Sequence, residues 1–334
     1  MLDALRRPLR DVRISVTDRC NFRCVYCMPK EIFGRDFPFV EREQLLTFEE
    51  IARLVRILAG LGVQKVRLTG GEPLLRRGLE RLVGQIAAID AIGDIALTTN
   101  GSLLTPARAR ALASAGLRRV TISLDSVDDA TVRRMNDVGI PVERVFEAIA
   151  AAAAAGLTPL KLDMVVMRNL NDASVVEVAR RFRHTGHVVR FIEYMDVGNT
   201  NGWRMQDVVS GAEILRLIAA EWPVEAIVPN YYGEVAQRWR YTDGGGEFGV
   251  ITSVTQPFCG SCTRLRLSAS GEVYTCLFAG SGHDLRAPLR GGASDQEIAA
   301  TLGSIWRLRD DRYSEVRSAA TAALRKVEMS HIGG

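Results

Sequence analysis

Residues 11–27 read DVRISVTDRCNFRCVYC, an alternating strand that runs directly into a loop carrying three cysteines. Arg13, Ser15 and Thr17 fall on one side of such a strand and Val12, Ile14 and Val16 on the other, because successive strand side chains point to opposite faces. Cys20, Cys24 and Cys27 then sit just past the strand's C-terminal end, where parallel α/β enzymes place their chemistry. Three thiolates are one short of a closed tetrahedral site, so a metal group held there keeps one position open.

Working outward, short β-type runs alternate with amphipathic helical stretches to about residue 195. Strands are predicted over Val12–Val16, Lys65–Thr69, Ile95–Thr98, Val120–Leu124, Leu160–Val166 and Val188–Tyr194. Helix starts are legible between them: Thr47 with Glu50 makes a capping box, and Thr105 precedes a proline at the first helical position. Gly156 reads as the stop after an alanine-rich helix. Six β-then-α units predict an α/β fold with a parallel sheet, an incomplete (β/α)6 barrel of the TIM type, with an open doubly wound sheet as the alternative. The barrel is expected over residues 1–200 and a smaller α+β domain over 201–334. That second part should hold a helix at about Asp207–Ala220, a Gly244–Gly246 turn, a hairpin turning at Ser268–Gly271, and a last helix capped by Ser294 with Glu297.

One strand face is consistently polar. Lys65, Arg67 and Thr69 share a side, as do Thr121, Ser123 and Asp125, and Lys161 with Asp163. Ile14, Val66, Leu68, Ile122, Leu124 and Leu162 alternate with them and should lie beneath the helices. An antiparallel sheet with a solvated face would show the same pattern, but parallel sheets are normally covered on both sides. On a parallel barrel, a polar inner face predicts a large charged ligand inside.

The 334 residues are 47% apolar and 25% charged, ordinary values for a folded globular protein rather than a disordered one. No apolar run reaches the roughly 18 residues of a spanning helix, and Met1–Arg10 carries no secretory apolar segment. A cytoplasmic protein without a membrane partner is expected. Cytosolic thiols stay reduced, which favours metal ligation by the cysteines over disulfides. Only four of the 43 basic residues are lysines, a bias that makes a single arginine weak support for any site and gives no case for nucleic-acid binding.

The other three cysteines form a second set, Cys259-x2-Cys262-x13-Cys276, leaving none over. Arg264 and Arg266 follow on one face of a strand, where paired guanidinium forks suit phosphate. For the first set, a zinc knuckle would need a fourth Cys or His nearby, and the four histidines are all far from it in sequence.

The first triplet, with Tyr26 before its last cysteine, resembles the signature of the radical S-adenosylmethionine (SAM) superfamily, and Gly70-Gly71-Glu72-Pro73 resembles its segment that binds the methionine part of SAM. Over almost the whole length the chain further resembles the MoaA family, GTP cyclases that begin molybdenum cofactor synthesis. The likeness runs through RISVTDR at 13–19, LTTNG at 97–101, SLD at 123–125, RFIEYM at 190–195, the second cysteine set with its arginines, and the closing Gly333-Gly334. It implies two [4Fe–4S] clusters, one on Cys20, Cys24 and Cys27 and one on Cys259, Cys262 and Cys276. It implies SAM contacts from Tyr26, Gly70, Gly71, Glu72, Ser123 and Met195. GTP contacts are implied for Arg13, Lys65, Arg67, Thr98, Lys161, Arg264 and Arg266, of which Arg13, Arg264 and Arg266 would be catalytic.

The implied reaction removes the ribose 3′ hydrogen of GTP by a 5′-deoxyadenosyl radical and joins C3′ to C8 of the guanine. The implied partners are a pterin synthase, MoaC, that takes the product, an electron donor such as flavodoxin or ferredoxin, and a second copy in a homodimer. In the family the Gly-Gly tail reaches the active site. Two other readings remain open at this point: a radical enzyme that modifies peptides, which calls for a recognition extension before Val12, and a non-catalytic zinc protein on nucleic acid, which calls for aromatics interleaved with basic patches, whereas aromatic residues make up 7% of the chain.

Overall fold

Ile14, Val66, Ile122 and Leu162 are fully buried in one apolar cluster with Leu54, Val83, Leu112 and Ile149 of the surrounding helices. That burial turns the polar alternates inward. The computed structural model describes residues 1–318, 321 and 324–333; Gly334, the end of the Gly-Gly tail, lies outside the described residues.

The first part of the chain runs β1 (Asp11–Ser15), α1 (Phe48–Gly60), β2 (Lys65–Thr69), α2 (Leu79–Ala87), β3 (Asp94–Thr99), α3 (Pro106–Ser114) and β4 (Arg119–Ser123). It continues with α4 (Asp129–Asn136), α5 (Val142–Ala154), β5 (Lys161–Val166), α6 (Val175–Phe182) and β6 (Val188–Glu193). The strands β1 to β6 pair in order, all parallel. The capping box at Thr47 is complete, and Thr105 accepts from Arg108 N ahead of Pro106. Gly156 adopts φ 77° just past α5.

Residues after 200 add α7 (Gly211–Ala219), β7 (Val224–Ile227), β8 (Gln237–Tyr241), β9 (Glu247–Ile251), β10 (Arg264–Leu267), β11 (Glu272–Tyr274), β12 (His283–Asp284), α8 (Arg286–Arg290), α9 (Asp295–Arg307) and α10 (Met329–Ile332). Helix α7 begins later than the expected Asp207, because Ser210 caps it through Glu213 N. A short α10 follows the helix expected to be last. The C-terminal strands do not build a separate sheet. Instead β9 pairs parallel with β6 and β10 parallel with β1, so one twelve-stranded sheet runs β12-β11-β10-β1-β2-β3-β4-β5-β6-β9-β8-β7. Residues of β1 to β6, β9 and β10 all line one cavity, so the sheet wraps around it as an incomplete barrel.

Because β9 and β10 belong to the same apolar core as β1 and β6, the two sequence regions should unfold together. We expect the metal-free chain to show one denaturant transition by far-ultraviolet circular dichroism and by fluorescence of its tryptophans, all of which follow residue 200. Leu265→Ala, at a position 1% exposed on β10, should lower stability by about 2–5 kcal/mol without splitting that transition.

Candidate active site

The cavity measures about 790 Å³ and is lined by all six cysteines. Strand direction separates the two sets. Cys20, Cys24 and Cys27 follow β1 at its C-terminal end, whereas Cys259 and Cys262 precede β10, which runs parallel to β1. The triplets therefore sit at opposite mouths of one bore, with β1 between them, a rise of roughly 17 Å for five strand residues.

At the first mouth, Met28 N and Cys27 N both donate to Cys24 O at 2.9 Å, folding the cysteine loop on itself. The Gly70–Glu72 segment lies against it, with Gly71 N on Thr17 O at 2.8 Å and Glu72 N on Arg19 O at 2.9 Å. A Cβ at Gly70 would strike the Thr17 carbonyl and one at Gly71 the Arg19 carbonyl. The glycines are thus required first for loop-on-loop packing. Glu72 is fully buried and outside the cavity lining; its carboxylate accepts from Thr99 Oγ1 at 2.7 Å, Asn100 N at 2.8 Å and Leu74 N at 3.0 Å. The Glu72 side chain thereby braces the loop that forms the wall.

Tyr26, Ser123 and Met195 line this mouth. Tyr26 donates to Asp125 Oδ2 at 2.9 Å, and burial raises the Asp125 carboxyl to about 7 against the help of that bond. Burial also pushes the Cys20 thiol up to about 12 and raises those of Cys24 and Cys27. Thiols held in this way ionise when cationic metal is present to take them. Among the described residues no three His, Cys, Asp or Glu side chains converge on a single point, as a lone metal ion would require. A cubane takes one thiolate per iron, so its ligands need not meet at one point.

The bore between the mouths is strongly basic. Register sets Arg13 of β1 between Arg266 of β10 and Arg67 of β2, three guanidinium groups abreast. Burial first, and then Arg266, Arg264, Arg67 and Arg190, holds Arg13 well below its usual value. Burial and Arg190 lower Arg67 to about 10, and burial and Arg264 lower Arg266 to about 10. Lys161 falls to about 7, from burial and then Arg190, Arg119 and Arg67. Arg67 donates to Thr98 Oγ1 at 2.9 Å and Thr121 Oγ1 at 3.0 Å. Lys65 lies near the second mouth, 3.9 Å from Asp11, 3.8 Å from Asp94 and 3.0 Å from the Tyr231 hydroxyl.

At the second mouth the β10–β11 hairpin returns the chain so that Cys276 comes back to Cys259 and Cys262. Burial opposes ionisation of Cys262, yet Arg264 and Arg309 prevail and bring its thiol down to about 6. The described end of the tail also enters the bore: Gly333 O accepts from Arg266 Nη1, and Ser330 O accepts from Ser15 Oγ at 3.4 Å.

Several contributors are invisible as single positions in the sequence. Asn100 reaches Cys20 Sγ at 3.9 Å, within the LTTNG stretch. Arg190 forms a two-pronged pair with Asp163 at 2.6 and 2.7 Å, facing partners in the β5–β6 register. That pairing becomes readable only once the register is known. Arg309 lies on no recognisable motif.

Residues 14–182 match the family model of the radical SAM superfamily and residues 187–315 match the one named Molybdenum Cofactor Synthesis C. A protein of Acidothermus cellulolyticus named GTP 3′,8-cyclase is 55% identical over 99% of this chain and 98% of its own length. Proteins of the same name from Staphylococcus carnosus and Staphylococcus aureus are 47% and 46% identical over the same shares. Among solved structures, Streptococcus suis SuiB bound to S-adenosylmethionine superposes with TM-score 0.63 at 13% identity, over 96% of this chain and 72% of that one, a likeness of fold. Two triplets at the ends of one basic bore and full-length identity of this order lead to the same place: the chain belongs to the radical SAM superfamily and, within it, to the family of GTP 3′,8-cyclases.

Proposed function

We propose that this chain is a radical SAM lyase that converts GTP to (8S)-3′,8-cyclo-7,8-dihydroguanosine 5′-triphosphate, the first step of molybdenum cofactor biosynthesis. The observation that carries the reading is the row Arg266–Arg13–Arg67 inside a cavity bounded at each end by three cysteines. Buried like charges depress one another, and a polyanion lying among them restores their charged forms. A triphosphate with a base at one end has the required charge and length.

Cys20, Cys24 and Cys27 would hold a [4Fe–4S] cluster, and Tyr26, Gly70, Gly71, Ser123 and Met195 would seat SAM, with Glu72 keeping the Gly70–Gly71 wall in shape. When bound, that pair supplies one-electron cleavage of a C–S bond and a 5′-deoxyadenosyl radical at the first mouth. Cys259, Cys262 and Cys276 would hold a second [4Fe–4S] cluster facing the guanine. Arg13, Arg67, Thr98, Lys161, Arg264 and Arg266 would bind the triphosphate and orient the ribose toward the first mouth, with Lys65 as a further phosphate contact at the second mouth. Arg13, Arg264 and Arg266 stand closest to the reacting nucleotide in this reading. Enclosure by the sheet keeps water and oxygen from the radical.

Residues 1–200 would form the radical SAM part, and 201–334 the part that carries the second cluster and adds Arg264 and Arg266 to the nucleotide contacts. Among the described residues no helix is long and apolar enough to cross a membrane. A cytoplasmic setting, with flavodoxin or ferredoxin as electron donor, the pterin synthase MoaC as next enzyme and a homodimer as assembly, completes the proposal.

The test is an anaerobic reaction with GTP deuterated at the ribose 3′ position. Deuterium should appear in 5′-deoxyadenosine; its absence there, with SAM still cleaved, removes the cyclase assignment. Cys259→Ser should keep SAM cleavage and yield no cyclised product.

Arg266→Ala should weaken GTP binding about 10- to 150-fold, the range for a lost charge-assisted hydrogen bond, and weaken guanosine binding much less. Equal losses would take the phosphate role away from this arginine. Lys161 binds phosphate when protonated, and a bound phosphate raises its pKa from about 7. GTP affinity should therefore drop by nearly tenfold per pH unit from pH 7.5 to 9, whereas Lys161→Arg, which stays charged, should flatten that limb. Titration calorimetry across this range provides the check.

A further inference from the structure

At the second mouth, one group of buried charges has no task in the reaction: Asp3, with Arg7 and Arg309 of the cavity wall. The N-terminal arm folds back on itself, with Leu9 N on Met1 O at 3.0 Å and Arg7 N on Asp3 Oδ1 at 2.8 Å. The Asp3 carboxylate then accepts from Arg7 Nε at 2.6 Å and from Arg309 Nη1 at 3.2 Å. The side chains of Asp3 and Arg7 are 0% exposed and that of Arg309 is 2%. Charges so deep are costly unless paired and hydrogen-bonded.

Arg7 Nη1 and Arg309 carry the contacts to the second cysteine set. Arg7 Nη1 binds the Cys259 carbonyl at 2.9 Å and the Asp311 carbonyl at 2.7 Å. Arg309 Nη1 binds the Cys262 carbonyl at 2.8 Å, and its Nε binds the carbonyl of Thr275, next to Cys276, at 3.0 Å. Its Nη2 reaches the Cys262 sulfur itself at 3.1 Å. One carboxylate thus fixes two guanidinium groups that together grip the main chain at or beside all three cysteines.

These loops need an external hold. The short turn Cys259–Ser261 buries none of its own residues, so no apolar packing of its own sets its place. Arg309 is clamped on its other side by the Trp306 ring, 4.6 Å from the guanidinium carbon, and Trp306 in turn donates to Arg7 O at 3.3 Å. Asp311, 29% exposed and 3.4 Å from Arg309 Nε, only partly offsets the positive charge aimed at Cys262. A donor on a thiolate sulfur stabilises the electron-rich state of an iron–sulfur group and makes its potential less negative.

We propose that Arg309, anchored through Asp3 to Arg7, is a positioning residue that presets the second cysteine set before metal arrives and raises the reduction potential of the cluster held there. The potential part rests on reading these cysteines as cluster ligands; the presetting part does not.

The experiment compares the wild-type full chain with Arg309→Met, Arg309→Lys and Asp3→Asn. In the metal-free chains, amide hydrogen exchange should quicken around 258–262 and 275–277 in Arg309→Met and Asp3→Asn, with the β1–β6 strands protected as in wild type. After anaerobic reconstitution, spectroscopic titration of Arg309→Met should place the second cluster at a more negative potential, with Arg309→Lys in between and the first cluster unmoved. Unchanged exchange at both segments overturns the presetting role, and so does a uniform loss of protection across the sheet. An unchanged potential in an Arg309→Met chain with full iron overturns the electronic role. If wild type binds iron at the first set alone, the two-cluster reading fails and the electronic role with it, while the exchange comparison still decides the clamp.

Discussion

Parallel pairing of Arg264–Leu267 with Asp11–Ile14 joins the C-terminal third of the chain to the first strand, and the bore owes its positive wall and its second cysteine set to that seam. Without it, Arg266 has no place beside Arg13, and Cys259 and Cys262 have no reason to face the mouth opposite Cys20. The matching parallel pair of β9 with β6 extends the other edge. Both junctions bury apolar residues of the C-terminal strands in the common core, among them Leu265 and Phe248, so the site's geometry is tied to the stability of the sheet as a whole.

The interior trades stability for readiness to bind. A row of guanidinium groups held in a poorly solvated bore repels itself, and the depressed values of Arg13, Arg67 and Lys161 record that cost. Some compensation is built in: Asp163 answers Arg190, the hydroxyls of Thr98 and Thr121 accept from Arg67, and the Gly333 carbonyl accepts from Arg266. What remains uncompensated is the driving force for an anionic ligand, with the donors already placed before it arrives. The two mouths differ in the same terms. Burial raises the thiol values at the first, whereas neighbouring arginines lower that of Cys262 at the second.

Strand period, capping boxes and cysteine spacing are local properties, and they were enough to give β1 to β6 within a residue or so, the caps at Thr47, Thr105 and Ser294, and the inward polar face. They also marked every cysteine and most of the basic residues that line the bore. Glu72 shows the limit of such reading. Its position in the Gly-Gly loop is local, but the direction of its carboxylate depends on Thr99 and Asn100 of the next strand.

What the sequence by itself determined was therefore the parallel α/β core and the two cysteine triplets with their spacing, because periodicity and spacing act over a few residues. Only the tertiary structure decided that β9 and β10 join opposite edges of that core, that the triplets share one cavity, and that Asp3 and Arg7 hold loops at residues 259–276. Those outcomes rest on strand register and on pairs of buried charges brought together from opposite ends of the chain, and no local pattern encodes which distant partner satisfies a buried group.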